Sequence, residues 1–349
     1  TTYQYDALNR VFSRSYSDST PTVNYSYDAA GVSNSRGRLT AVTSTVSTTN
    51  YTAYDALGRV TASAQSTSGQ NYTFGYGYDL AGDLTSETYP SERKVLTGYN
   101  GGDRITGVQA YGGTTYASAM SYAPQGAVSS MTLGNGLVET TAFNNRLQPT
   151  SIAAGALASF GYTYGGTNNN GNVMSQTISD PGLSLTQTYG YDGVNRLATA
   201  SETNSWTETY GYDPYGNRTS VTASQYLPTY SPAPSISSST NRISDPNFSY
   251  DAAGNLTQAP VAPGGAIQTY AYDAENKLVN FNSGVATYAY DGNGHRVQKT
   301  MGSATTIYVY DVMGKLIAEY LNTMATGSGT KYITADNLGS TRLVTDASG

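Results

Sequence analysis

The stretch YAYDGNGHRVQK, residues 288–299, contains the single histidine of this 349-residue chain. His295 lies close to Asp291 and Arg296, and a histidine beside a carboxylate can act as a general acid or base near neutral pH. The same pattern recurs along the chain, however, and other residues then stand in the place of His295. Those residues are Arg10, Arg59, Asp83, Arg196, Asn217, Asn255, Lys277 and Lys315. A position that accepts all of these predicts a solvent-facing, loosely constrained side chain, so we predict no catalytic role for His295.

Other patterns that support catalysis or cofactor binding are missing from the sequence. One histidine and no cysteine exclude a zinc site built from His and Cys ligands. Residues 291–294 lack the alternating carboxylates and terminal Glu of an EF-hand loop. Neither a GxSxG elbow, nor a Walker A sequence, nor a strand-linked GxGxxG occurs. The sequence therefore predicts a protein that is not an enzyme and that binds no cofactor and no metal.

Charge and hydropathy limit the partners. The net charge is −6 with a pI near 4.8, and the 18 Lys and Arg residues are scattered. Nucleic acids and anionic membranes are bound mainly through clustered cations, so neither is predicted as a partner. No apolar run approaches 18 residues, which excludes a membrane-spanning helix.

Tyrosine is the residue type from which a core could be built. The chain has 33 Tyr and 38 Gly but few Phe, and only 12% of its residues are charged. A tyrosine ring can bury roughly 150 to 250 Å² while its hydroxyl finds a hydrogen-bond partner. Tyr and Thr also favour strands. We therefore expect an all-β fold with a tyrosine-rich core.

The dipeptide Tyr-Asp occurs ten times, and the third residue after each Asp is Gly or Asn. The ten copies comprise Tyr5, Asp6, Asn9; Tyr27, Asp28, Gly31; Tyr54, Asp55, Gly58; Tyr78, Asp79, Gly82; Tyr191, Asp192, Asn195; Tyr212, Asp213, Gly216; Tyr250, Asp251, Gly254; Tyr272, Asp273, Asn276; Tyr290, Asp291, Gly294; and Tyr310, Asp311, Gly314.

This repeat predicts a β-hairpin turn. Gly and Asn tolerate a positive φ better than other residues, so the third position after the Asp is predicted to be left-handed. An Asp at the first position of a type I turn accepts hydrogen bonds from nearby backbone amides. A second Tyr commonly lies two residues before the Tyr-Asp pair, which places both rings on one face of a strand. A structural turn therefore accounts for these residues without any chemistry.

The copies predict a repeat architecture over most of the chain. Degenerate copies lie at 99–105, 122–128, 143–147 and 162–173, and the repeat length runs from about 18 to 27 residues. A lone hairpin is marginal in water, so neighbouring repeats must stack to bury the tyrosine face. We predict one array over residues 1–335, with a Pro- and Ser-rich loop at about 226–240, followed by a distinct segment at 336–349.

These features resemble the YD-repeat, or RHS-repeat, family, which includes bacterial polymorphic toxins, the shell component of insecticidal toxin complexes and part of the teneurins. The segment DNLGSTRLVTDASG, residues 336–349, is similar to the DxLGSxRxLxD segment of the RHS repeat-associated core. Its matching residues are Asp336, Gly339, Ser340, Arg342 and Asp346. The resemblance implies a continuous antiparallel sheet that spirals into a hollow shell or tube around a cargo polypeptide, with the terminal segment in a cap. The sequence Asp213-Pro-Tyr-Gly216 is similar to the DPxG element of the family, but it lies in register as an ordinary repeat.

Two functions of different class remain open. The first is a shell, or part of one, that encloses and sequesters a cargo or effector polypeptide of a secreted toxin-like protein. The second is an extracellular fibre or adhesive surface protein in which the spiral stacks end to end or binds glycans or other proteins. Both predict a secreted, extracellular or cell-surface location, with cargo or like subunits as partners. We expect most rings to face the core, which favours the shell.

Overall fold

A computed structural model describes residues 1–224, 234–261, 264–322 and 329–349. These residues form thirty antiparallel β-strands and one short 3-10 helix, η1 (Asn282–Gly284). The predicted all-β fold of tandem antiparallel hairpins is confirmed. In this part of the chain no helix is long and apolar enough to cross a membrane.

The chain divides into two compact units. The first comprises Thr1–Leu96 and Asn247–Gly327, and the second comprises Thr97–Pro246 and Ser328–Gly349. The segment 336–349 thus lies in the same unit as residues 97–246. Most of the residues expected to form the Pro- and Ser-rich loop at 226–240 lie outside the described residues. Of the others, Ile236 forms an isolated bridge with Ile243, which follows the predicted loop.

The first unit contains two sheets in which each strand pairs with its neighbour along the chain. One sheet contains β1 (Thr2–Tyr5), β2 (Val11–Ser15), β3 (Val23–Tyr27), β4 (Leu39–Thr43), β5 (Ser47–Tyr54), β6 (Val60–Thr67), β7 (Gln70–Tyr78), β8 (Leu84–Thr88) and β9 (Lys94–Tyr99), which contains the boundary of the unit. The other contains β21 (Ser249–Tyr250), β22 (Leu256–Pro260), β23 (Ile267–Tyr272), β24 (Leu278–Phe281), β25 (Ala286–Tyr290), β26 (Arg296–Met301), β27 (Ala304–Tyr310) and β28 (Leu316–Leu321).

These two sheets pack against each other through the rings of β7. Tyr72, Phe74 and Tyr76 alternate along β7 and are buried against Ile307 and Val309 of β27. Alternation places the three rings on one face, as a half-buried strand requires. The rings form the core of this unit, as the sequence predicts.

Buried polar groups also join the two sheets. The side-chain amide of Gln65 on β6 donates to the carbonyl oxygen of Tyr308 (2.9 Å) and accepts from the backbone N–H of Tyr310 (3.1 Å). The Tyr76 hydroxyl accepts from the N–H of Val312 at 3.2 Å. A buried polar atom without a partner would cost about 1–3 kcal/mol, so these bonds fix how the sheets face each other.

The second unit contains eleven sequential strands, each paired with its neighbour along the chain, and a separate hairpin. The eleven strands are β10 (Ile105–Ala110), β11 (Thr115–Tyr122), β12 (Val128–Leu133), β13 (Val138–Phe143), β14 (Pro149–Ala154), β15 (Ala158–Tyr164), β16 (Val173–Asp180), β17 (Leu183–Tyr191), β18 (Leu197–Glu202), β19 (Thr207–Tyr212) and β20 (Arg218–Ala223). The hairpin comprises β29 (Tyr332–Ala335) and β30 (Thr341–Thr345).

The hairpin β29–β30 covers part of the sheet of its unit. Leu343 packs on a cluster that contains Ile152, Phe160 and Tyr162. At its end, the side chain of Asn135 donates to the Thr345 hydroxyl, 2.9 Å away. The second unit therefore has its own core, built like that of the first from rings on one face of a sheet.

Candidate functional site: the lateral ladder of repeat turns

The turn at Asp55 shows the geometry that the repeats share. The backbone N–H of Gly58 donates to the carbonyl of Asp55 (3.0 Å), and the N–H of Asp55 donates to the carbonyl of Arg59 (2.9 Å). The Asp55 carboxylate accepts from the amides of Leu57 and Arg59 at 3.0 and 2.9 Å. The carboxylate thus accepts hydrogen bonds from backbone amides inside the turn that would otherwise lack a backbone acceptor. This explains why Asp occupies the first position of the turn.

The third residue after the Asp is left-handed in nine of the ten copies. Their φ values run from 58° to 107°, at Asn9, Gly58, Gly82, Asn195, Gly216, Gly254, Asn276, Gly294 and Gly314. The pairing register also shifts by one residue beside the repeat tyrosine, for example between Gly211 and Tyr212. The left-handed residue and the irregular register together turn the chain back into the next strand.

The copy at Asp28 departs from the prediction, and the left-handed assignment of Gly31 is wrong. Gly31 has no positive φ, and the hairpin closes only where the N–H of Asp28 donates to the carbonyl of Arg38, at 3.1 Å. Gly37, with φ of 77°, takes the left-handed place directly before Arg38. The insertion after Gly31 lengthens the turn into a loop, so the closing glycine lies six residues later than the repeat predicts.

Where an arginine stands four residues after the Asp, it links its own turn to the next. The Arg59 Nε donates to Asp55 of its own turn (2.6 Å), and its Nη1 donates to the carbonyl of Asp79 in the following turn (2.8 Å). Arg196 repeats both bonds, to Asp192 and to Asp213. The guanidinium provides several donors in a fixed plane, which suits a side chain that must bond two turns at once.

The same cation stacks on the tyrosine of the following repeat. The distances from the cationic group to the ring centroid are 4.3 to 6.0 Å in the pairs Arg10–Tyr27, Arg38–Tyr54, Arg59–Tyr78, Arg104–Tyr122, Arg196–Tyr212 and Lys277–Tyr290. Each exposed pair of this kind contributes about 0.5–1 kcal/mol.

The tyrosine hydroxyl completes the link by donating to the first residue of the strand that follows the preceding turn. Tyr54 donates in this way to the carbonyl of Leu39. Seven further bonds, from 2.6 to 3.1 Å, join Tyr27 to Val11, Tyr122 to Ile105, Tyr164 to Pro149, Tyr191 to Val173, Tyr212 to Leu197, Tyr290 to Leu278 and Tyr310 to Arg296. We call this combination of stacked cation and tyrosine hydroxyl the lateral ladder.

His295 is a member of the lateral ladder, and the prediction of a loosely constrained, solvent-facing side chain is wrong. Its ring stacks on Tyr310 with centroids 4.6 Å apart, and its Nδ1 lies 3.2 Å from the carboxylate of Asp291. The bond to Asp291 raises the pKa of His295 against the opposing effect of burial. His295 therefore pairs with the Asp of its own turn and stacks on the tyrosine of the next repeat, as Arg59 and Arg196 do.

The remaining turn residues lie at the ends of strands. Tyr5 ends β1 and is exposed, while Tyr250 and Tyr272 end β21 and β23. The carboxylates of Asp251 and Asp213 accept from Asn255 and Asn217, and these bonds lower the pKa of both Asp residues.

The segment at 336–349 contains one more turn of the same form. The N–H of Gly339 donates to the carbonyl of Asp336 (3.0 Å), and φ of Gly339 is 82°. The buried carboxylate of Asp336 accepts from the amide of Ser340 (2.9 Å) and from Arg342 (2.7 Å). Asp346 lies beyond β30, where it accepts from Ser348. This segment is therefore built as a repeat hairpin.

Two buried carboxyl groups were not predicted. Glu87 on β8 and Glu139 on β13 each have a buried oxygen without a hydrogen-bond partner among the described residues. Burial raises the pKa of both, and the charge of Asp311 adds to the effect at Glu87. Nothing in the sequence distinguishes these two strand positions from exposed ones. No group of three metal-ligating side chains occurs within the described ranges.

Three comparisons connect the chain to known proteins. The family model for the RHS Repeat matches residues 54–94. The chain shares its fold with the Photorhabdus luminescens Tc holotoxin pore, at 16% identity and a TM-score of 0.78, covering 100% of this chain and 22% of the other. A crystal structure of TcdB2-TccC3-Cdc42 gives 15% identity and a TM-score of 0.72 with the same coverages. No curated protein sequence matches the chain.

The fold and the lateral ladder define a tandem β-hairpin repeat protein. The family match at 54–94 and the shared fold confirm the resemblance to the RHS-repeat family. The chain spans about a fifth of the length of the similar solved chains.

Proposed function

We propose that this chain is a structural scaffold that forms part of a β-shell around a cargo or effector polypeptide of a secreted toxin-like protein. The observation that carries the proposal is the lateral ladder, because it joins neighbouring repeats in both units and so gives the sheet a fixed wall geometry. Such a wall suits enclosure better than catalysis. The shared fold with a Tc holotoxin pore supports the same reading.

The proposal includes a non-enzymatic role and an extracellular destination. The Asp residues of the repeats are engaged in their own turns, and hydrogen bonds to the backbone N–H of Arg10 and of Arg196 lower the pKa of Asp6 and of Asp192, so both are ionised at neutral pH. An ionised carboxylate whose oxygens already accept backbone amides is a poor general acid or base. These groups therefore serve folding.

A second candidate is an extracellular fibre or adhesive protein. Among the described residues β1 pairs with β2 alone, and its Tyr3 and Tyr5 are about half exposed. This favours the second candidate, because an unpaired strand edge can accept another chain. Like subunits stacking on such edges would form filaments.

Electron microscopy of the purified chain over a range of concentrations separates the two functions. The shell proposal predicts discrete particles at every concentration. Long filaments would overturn it in favour of the fibre.

Enclosure itself is tested by protease protection of any polypeptide that copurifies with the full gene product. Protection should be lost in the variant Tyr290→Phe with Tyr310→Phe, which removes two hydroxyl bonds of the lateral ladder. Tyr288→Phe with Tyr308→Phe is the matched control, because neither hydroxyl belongs to the ladder. Equal protection in both variants, or none in the parent protein, would contradict the proposal.

A further inference from the structure

The longest repeat turn of the first unit, residues 28–38, borders a groove. The groove has a volume of about 640 Å³ and lies between this loop and the turn at Asp55. Its walls include Asp28, Ala30, Val32, Arg36, Arg38 and Ala56. Arg38 also takes part in the lateral ladder, because it stacks on Tyr54.

The loop is held firmly in place. Ser33 forms a parallel bridge with Ala53, and the side chain of Asn34 donates to the carbonyl of Tyr54 at 2.9 Å. The buried hydroxyl of Ser35 donates to the carbonyl of Ala29, also at 2.9 Å. The groove therefore exists before any partner binds, which lowers the ordering cost of binding.

Within the described part of the chain, two arginines of the groove form no ion pair with a carboxylate. In other turns the arginine pairs with its own Asp, but here the Asp28 carboxylate is bonded to Arg10 (2.7 Å) and to the amide of Gly37. Arg38 donates instead to the carbonyl of Asn34 (2.6 Å) and stacks on Tyr54. Arg36 is exposed, and among the described residues its guanidinium has no ion-pair or hydrogen-bond partner.

We infer that this groove, which we call the loop groove, is a docking site for a peptide segment that presents an Asp or Glu side chain beside small aliphatic residues. Guanidinium groups bind carboxylates through paired, charge-assisted hydrogen bonds. The walls at Ala30, Val32 and Ala56 offer apolar contact, and the exposed Leu57 extends that surface beyond the turn. The chain has a net charge of −6, so it repels a polyanion as a whole. The two arginines of the groove are therefore better suited to binding one acidic side chain.

The inference is independent of the shell proposal, because it concerns the turn edge rather than the ring-bearing faces. Binding is measured by fluorescence anisotropy with a labelled peptide, Ac-Gly-Glu-Leu-Asp-Leu-Gly-amide. The peptide with Gln and Asn in place of Glu and Asp is the neutral control. We expect binding of the acidic peptide only, weakened at least about tenfold in Arg36→Gln with Arg38→Gln and weakened further by salt.

The control variant is Arg104→Gln with Arg146→Gln, which removes the same charge elsewhere. Arg104 stacks on Tyr122 as Arg38 does on Tyr54, and Arg146 is exposed and bonds only a carbonyl, that of Asn169. This variant should bind the acidic peptide as the parent chain does. An equal loss in both variants would show nonspecific charge attraction and overturn the inference.

A second test keeps the inference falsifiable if the arginine variant unfolds. Ala56→Glu places a carboxylate at an exposed position of the groove wall, where it should occupy the arginines and abolish peptide binding. Ala252→Glu, at the matching position of the turn at Asp251, should leave binding unchanged. Retained binding in Ala56→Glu, equal binding of the neutral peptide, or preferential binding of a single-stranded RNA oligomer would each contradict the inference.

Discussion

The imidazole of His295 lies on the ring of Tyr310, with the centroids 4.6 Å apart and the planes 18° from parallel. These two residues belong to consecutive repeats, and the Tyr310 hydroxyl donates back to the carbonyl of Arg296, next to the histidine in the chain. The single histidine of the protein thus joins two repeats.

The role of His295 predicts a pH dependence. Its bond to Asp291 raises its pKa above 6.5, so the protonated form is favoured by folding. The stability that this proton contributes is fully present below the unfolded pKa and is lost as the pH rises through the folded pKa. His295→Arg keeps a positive charge at every pH in this range. The melting temperature of the parent chain should therefore fall, relative to that of the variant, between about pH 6 and about pH 8.

The measurement is thermal unfolding of both proteins at several pH values. Asp291, Lys277 and Asp311 also act on the imidazole, but they are common to both proteins. A difference in melting temperature that does not change with pH would show that the charge of His295 has no part in folding.

The corrected turn at Asp28 predicts which glycine is sensitive to substitution. Gly37 has a φ of 77°, whereas the φ of Gly31 lies outside the left-handed region. A Cβ added at either position would meet no atom within 4 Å. Gly37→Val should therefore lower the free energy of unfolding by about 1–2 kcal/mol through backbone strain alone. Gly31→Val should cost much less. Urea unfolding of both variants decides this, and an equal loss would restore the original reading of Gly31.

The tyrosine hydroxyl can be removed without changing the ring. Tyr290→Phe deletes the 2.8 Å bond to the carbonyl of Leu278 and should lower the free energy of unfolding by about 0.5–1.5 kcal/mol. Tyr288→Phe is the control, because its hydroxyl makes no such bond within the described residues. Chemical unfolding of the two variants should separate them, and identical stability would remove the hydroxyl from the lateral ladder.

Glu139 predicts a stabilising substitution. Burial raises its pKa, so the stability it contributes is present at low pH and is lost as the pH rises through the folded pKa. Glu139→Gln should therefore be more stable than the parent chain at neutral pH, by about 1 kcal/mol, with the advantage vanishing near pH 4. Glu92→Gln, at an exposed turn, should show no such trend in urea unfolding. A destabilised Glu139→Gln at neutral pH would contradict this account.

The sequence predicts the hairpin repeats well because the turn is a local structure. Asp55 and Gly58 are three residues apart, and their roles follow from backbone sterics and one carboxylate. The error at Gly31 arose because an insertion moved the closing glycine to Gly37, which the Tyr-Asp register cannot indicate. Asp291 lies near His295 in the sequence, but the stacking of His295 on Tyr310 was missed because Tyr310 is fifteen residues away.

The buried carboxyl groups show where sequence reasoning ends. Glu87 lies at the same strand parity as other polar residues, and nothing in one sequence distinguishes a buried Glu from an exposed one. Its burial depends on the second sheet of its unit, through Asp311 and the residues near Tyr76. Contacts between strands that lie more than two hundred residues apart are not readable from a repeat pattern.

The central claim is that consecutive repeats are coupled through a stacked cation and tyrosine, and a double-mutant cycle on Arg196 and Tyr212 tests it most directly. Their cation-to-centroid distance is 4.7 Å, and the free energy of unfolding is measured for Arg196→Gln, Tyr212→Leu, the double variant and the parent chain. We predict a favourable coupling energy of about 0.5–1 kcal/mol. Strictly additive effects of the two substitutions would contradict the account.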